Sequence, residues 1–111
     1  MNGGDVVLYV VYCRDDPTVS KQIRSEYKEA HLAYLEKHQG IIFLGGAMLD
    51  EDGETRLGSA LILNVQNRAE AEAFSSGEPF RCAGLYASVQ ITRMRRAQWR
   101  PELAPKSVEG H

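Results

Sequence analysis

The sequence predicts an α+β protein of order βαββαβ, built on a four-stranded antiparallel sheet. Three observations carry that expectation. Two runs, Val6 to Cys13 and Gly58 to Val65, are rich in apolar, β-branched and aromatic residues, with Ala60 to Leu63 apolar at every position, as strands covered on both faces are. Between them, Ile23, Tyr27, His31, Tyr34 and His38 recur at three- and four-residue steps, the spacing of one helix face. After the second run, a short helical stretch leads to Ser88–Met94, which alternates in the two-residue period of a strand.

Taken in order, Val6 to Cys13 is the first strand, and Asp15-Asp16-Pro17 ends it. Pro17 suits the first turn of a helix with Asp16 as its cap, and the helix is expected to run to about Gln39, stopped by Gly40. Ile41 to Leu49 is the second strand, in which Gly45-Gly46 marks a bulge or a close backbone approach. Asp50 to Glu54 is a hairpin turn of the Asp-Gly type, and Gly58 to Val65 is the third strand. Asn67-Arg68-Ala69-Glu70 has the form of a capping box and opens a helix through about Ser75. Glu78-Pro79 starts a further short helix ending near Gly84, and Ser88 to Met94 is the fourth strand, with one wetter face.

This order is the ferredoxin-like split βαβ arrangement, in which the first and third strands occupy the middle of the sheet. Those are the two most apolar runs. Two helices cover one face only, so a second copy of the sheet is the economical cover for the other, and a homodimer packed through the sheet is expected.

At 111 residues the chain makes one domain, taken as residues 1–99, followed by a polar tail over 100–111 that carries Pro101 and Pro105. A hydrophobic share of 43% and a charged share of 25% are those of an ordinary globular protein. A net charge of −2 offers no general attraction to nucleic acid or an anionic membrane. Arg93, Arg95, Arg96 and Arg100 read as a strand end and tail rather than a nucleic-acid site. Two cysteines, Cys13 and Cys82, make no disulfide framework, and the first apolar run is too short to span a bilayer, with Asp5 where a signal peptide is basic. A cytoplasmic setting is the simplest expectation.

The chain resembles the YCII-related family in Leu8-Tyr9-Val10-Val11-Tyr12, Ala30-His31-Leu32, Gly45-Gly46-Ala47-Met48, Gly58-Ser59, Glu78-Pro79-Phe80 and Ala83-Gly84-Leu85. The resemblance implies a dimeric α+β barrel and a histidine–carboxylate pair proposed as catalytic. It also implies cofactor-independent lyase or isomerase chemistry, of the dehydrochlorinase, dehydratase or muconolactone-isomerase kind, on an oxygenated cyclic or aromatic acid. His31 matches the family histidine. Glu78 stands where the family usually has aspartate, one methylene longer, and Lys28 where it often has arginine, a point charge in place of a planar fork.

An imidazole titrates near neutrality and can take and return a proton beside a carbonyl, the work assigned to His31. On the residues alone, a packed histidine is the commoner explanation, and the resemblance reverses that order. Glu78 at a helix cap would fix the imidazole tautomer, or would simply cap. Arg24, Lys28 and Arg81 are candidate anion-binding groups, each otherwise a solvated charge. Tyr9, Tyr12, Tyr34 and Phe80 are candidates to wall an aromatic pocket, each otherwise core. Cys82 receives no role. His31 and His38 are seven apart, not the spacing for a shared metal, and no glycine-rich nucleotide loop is present, so no metal or cofactor is expected. The competing class is a homodimeric module that holds a small metabolite without turning it over.

Overall fold

The computed structural model describes residues 6–110; the ends of the chain, including His111 of the expected tail, lie outside the described residues. Four strands, β1 (Val7–Asp15), β2 (Ile42–Leu49), β3 (Arg56–Val65) and β4 (Tyr86–Met94), form one antiparallel sheet in the order β2-β3-β1-β4. The two most apolar strands are therefore the central pair, as a ferredoxin-like protomer requires. Val11 sits opposite Leu61 on one side and Ile91 on the other.

Alternation along β1 sends Tyr9, Val11 and Cys13 to the face covered by helices. There they meet Leu63 and Val65 of β3, and Ala71 and Phe74 of helix α3 (Arg68–Gly77), to make the core. Helix α3 starts with the Asn67 half of the expected capping box, while the Glu70 side chain reaches one residue further back, to Gln66. Asn67 Oδ1 accepts from the Glu70 N–H at 2.9 Å, and the Glu70 carboxylate accepts from the Gln66 N–H at 2.7 Å. Glu78 caps the single-turn helix α4 (Pro79–Cys82), and Gly84, at φ +86°, turns the chain into β4.

The long first helix is broken. Helix α1 (Ser20–Glu26) and helix α2 (Lys28–Lys37) meet at Tyr27, whose φ of −110° and ψ of 12° leave the helical region. The Tyr27 N–H to Ile23 oxygen bond and the His31 N–H to Tyr27 oxygen bond, both 2.9 Å, carry the register across the break. Asp16 does not cap this helix. Its carboxylate accepts from the Thr18 N–H and hydroxyl in a turn of its own, and Pro17 precedes the first helical residue by three positions. At the far end the stop is not Gly40. The His38 ring Nδ1–H donates to the Tyr34 carbonyl at 2.9 Å, and a 3-10 turn over Gln39–Ile41 leads into β2.

Neither α1 nor α2 buries a residue fully, whereas α3 buries Ala71, Phe74 and Ser75. The first helical pair therefore stands off the sheet, and the gap it leaves over β2 and β3 is where the site lies. β2, on that side, is irregular, with register shifts at Ile42/Leu44 and at Met48/Leu49. A side chain at Gly45 would collide with that of Leu61 across the ladder, the close approach the sequence suggested.

The opposite face of the sheet carries Leu8, Val10, Tyr12, Leu44, Ile62 and Met94. The hairpin between β2 and β3 is held by the Asp50 N–H to Thr55 oxygen bond and by the Asp52 carboxylate, which accepts from Glu54 and Thr55. Beyond β4, Trp99 lies against Phe43 at 5.8 Å between ring centroids, and Pro101–Leu103 form a 3-10 turn in a largely exposed terminal stretch. No helix among the described residues is long and apolar enough to cross a membrane.

A β-carbon at Gly58 would run into the carbonyl of Cys13 on the neighbouring central strand. Gly58→Ala is expected to lose about 1–3 kcal/mol of stability through forced backbone displacement, read as a lower urea midpoint. An unchanged midpoint would mean the two central strands are not packed this closely.

Candidate active site

His31 lies one turn into α2, and its Nδ1 is 2.7 Å from Glu78 Oε2. A carboxylate can only accept, so Nδ1 carries the hydrogen. The ring stacks on Phe80 with centroids 4.0 Å apart and planes 16° from parallel. These two contacts set the direction and the tilt of the imidazole. Nε2 has no hydrogen-bond partner among the described residues, and the side chain lines the cleft.

Glu78 is buried, and its two oxygens meet three donors. Oε2 accepts from the Phe80 N–H at 2.9 Å as well as from His31, and Oε1 accepts from the Tyr86 hydroxyl at 3.1 Å. Burial, together with the negative charge of Glu78, pushes the Tyr86 phenol above the ordinary tyrosine range. Tyr86 therefore stays protonated and keeps donating. Its oxygen is also 3.5 Å from Ser59 Oγ. Neither Tyr86 nor Ser59 is among the site residues expected from sequence. Tyr86 lies two residues before the start expected for the fourth strand, and Ser59 is a plain strand serine until its neighbours are known.

The expected anion clamp is rearranged. Arg24 is held by Asp15 at the end of β1, with Nε at 2.8 Å from one oxygen and Nη2 at 3.0 Å from the other. Ser20 Oγ adds a third bond to the same buried carboxylate at 2.7 Å. With its fork engaged in a two-point pair, Arg24 supports the site rather than offering a free charge; its guanidinium carbon lies 5.3 Å from the Phe80 ring centroid. Lys28 lines an outer cavity beyond the cleft. Arg81 turns away and donates to Ser75 Oγ at 2.7 Å.

The aromatic candidates separate as well. Tyr9 is core, and Tyr12 is on the far face of the sheet. Tyr34 donates its hydroxyl to the Phe74 carbonyl at 2.8 Å and lines a different hollow. Phe80 is buried beneath His31, where it supports the imidazole, and it also borders the outer cavity that Lys28 lines. Cys82 donates to the Ser76 carbonyl at 3.3 Å.

The cleft itself measures about 480 Å³, within the usual range for small-molecule sites. Its floor is low and apolar, from Gly45, Ala47 and Leu61, and Leu32 and Leu35 close the helical side. Arg56, at the start of β3, also lines it and is not among the site residues expected from sequence.

Cys13 lies beside this floor on the same face of the sheet, opposite Ser59, where burial pushes its thiol from 9.0 up to about 11. Because the folded value is the higher, the thiol contributes stability that is complete below pH 9.0 and lost as pH climbs through about 11. The thermal midpoint is expected to fall across that window, with a shallower fall in Cys13→Ala. Parallel profiles for the two proteins would contradict it.

The YCII-related domain family matches residues 7–95. The solved structure of 5-chloro-2-hydroxyhydroquinone dehydrochlorinase from Burkholderia phenoliruptrix, in complex with 2,5-dihydroxybenzoquinone, is 33% identical in sequence, with a TM-score of 0.73. That match covers 81% of this chain and 95% of the other. A putative antibiotic biosynthesis monooxygenase from Bacteroides thetaiotaomicron shares the fold at a TM-score of 0.53 and 7% identity, over 86% of this chain and 92% of its own. Among curated proteins no sequence matches. A domain match from the first strand to the end of the fourth, on a ferredoxin-like sheet, places the chain in the YCII-related family.

Proposed function

We propose that the protein is a small lyase or isomerase that works without a cofactor on an oxygenated cyclic or aromatic acid, with His31 as general acid/base and Glu78 as its orienter. The observation that carries this is the 2.7 Å bond from His31 Nδ1 to a buried carboxylate, which leaves Nε2 without a partner among the described residues on a side chain that lines the cleft. A ring lying on the floor of Gly45, Ala47 and Leu61 would bring an acidic C–H or O–H to Nε2. His31 takes that proton, and Glu78 stabilises the imidazolium across the hydrogen bond. The electron pair left behind expels a leaving group from the neighbouring carbon, or shifts the double bond before the proton is returned. The first outcome is a lyase reaction, and the second is an isomerisation. The likeness to a dehydrochlorinase that binds a dihydroxyquinone supports the first.

The apolar outer face supports a homodimer. Leu44 is 55% exposed and Phe43 50%, beside Tyr12, Ile62 and Met94. An open face of this size is unfavourable in water, and a twin sheet buries it. Of the two β3 positions suited to a charge test, Leu61 faces the cleft and Ile62 the outer surface.

With hydroxyquinones and muconolactones as substrates, His31→Ala is expected to lose roughly 10²–10⁴ in kcat/KM. Glu78→Gln should lose less, with binding nearly unchanged. Turnover untouched by His31→Ala would remove the acid/base assignment, and ligand binding without turnover in the wild type would make the protein a metabolite-holding module.

In light scattering at micromolar concentration the wild type is expected to be a dimer, and Ile62→Glu a monomer or an aggregate. A stable wild-type monomer would overturn the sheet-to-sheet pairing.

A further inference from the structure

The cleft does not end at His31. An outer cavity of about 720 Å³ shares Arg24, His31, Leu32 and Arg56 with it, so those four side chains border both chambers of the recess. Their chemistry differs. The inner chamber is floored by small and apolar groups, and its two carboxylates are occupied, Glu78 by His31 and Glu36 by the Gln39 amide at 2.6 Å. The outer chamber carries Lys21, Lys28 and Arg56 against one acid, Glu54, while Arg24 is neutralised by Asp15. A chain of net charge −2 thus gathers unpaired positive charge at this one mouth.

Arg56 differs from the two lysines in two respects. It borders both chambers, where they border only the outer one. It also stands on the first residue of β3, directly after the hairpin tied down by Asp52 and Thr55, so its base is fixed. Its side chain makes no hydrogen bond or ion pair among the described residues, Glu54 included. A guanidinium offers two parallel N–H donors, the match for a carboxylate or for adjacent ring oxygens that share a negative charge.

We propose that Arg56 is the specificity-determining residue of the recess, which takes a planar substrate as its anion. The ring occupies the inner chamber beside His31, its ionised oxygen meets Arg56 on the border of both chambers, and Lys21 and Lys28 draw the anion in from solvent. This rests on the acid/base reading of the cleft and adds the charge that its substrate carries.

Two probes of similar shape separate charge from fit. 2,5-Dihydroxybenzoquinone is a vinylogous acid and ionised at neutral pH, whereas its 2,5-dimethoxy analogue is uncharged. By calorimetry, the wild type should bind the anion more tightly, and added salt should narrow the difference. Arg56→Gln should weaken binding of the anion by roughly ten- to a hundredfold and leave the ether unchanged, and Arg56→Lys should recover part of the loss. Because Arg56 is exposed, both variants should keep the wild-type thermal midpoint. Equal weakening of both probes, an anion preference that survives Arg56→Gln, or a wild type that binds neither probe overturns the proposal. Loss of turnover in His31→Ala beside an unchanged preference in Arg56→Gln overturns the arginine's role alone. Loss of the preference in Arg56→Gln beside unchanged turnover in His31→Ala supports it while removing the acid/base reading.

Discussion

The carboxylate of Glu78 is the group on which the site depends. A buried carboxylate is unfavourable unless its oxygens are met by donors, and here the donors come from three places in the chain: His31 on α2, the Phe80 N–H in α4 and the hydroxyl of Tyr86 on β4. Each alone is a modest interaction. Together they tie the first helical pair, the short fourth helix and the edge strand to one point. The extra methylene of glutamate suits that task, since Oε2 takes two of the donors and Oε1 the third.

A second carboxylate, Asp15, does comparable work at the end of β1. It binds Arg24 at two points and Ser20 at a third, so the start of α1 is fixed to the central strand. Arg24 then approaches the Phe80 ring on which His31 is stacked. The imidazole is thus positioned by packing as well as by its hydrogen bond. Such support holds the ring in one orientation over the cleft. It also explains how helices that bury no residue completely can still hold a defined side chain over an open cleft.

The sheet separates two kinds of surface. One face carries the core and the cleft, and the other presents Leu44, Phe43 and Tyr12 among other apolar residues, with Asn64, Gln90 and Thr92 between and beside them. The alternation of the central strands makes this division unavoidable, because their residues are apolar at both parities and the helices reach only one of them.

Sequence alone determined the element order, the central placement of β1 and β3, the Asn67 cap and the cap at Glu78, and it singled out His31 and Glu78. These are legible because hydrophobic period and capping chemistry act over a few residues. The tertiary structure decided what depends on distant neighbours. It broke the long helix at Tyr27, spent the Arg24 charge on Asp15, sent Tyr9 to the core and Tyr12 to the outer face, and brought Tyr86 and Ser59 beside Glu78. It also set Arg56 on the border of both chambers. A charge or a hydroxyl reads the same in a sequence whether it is solvated or paired; its role is fixed only by which groups, tens of residues away, the fold packs against it.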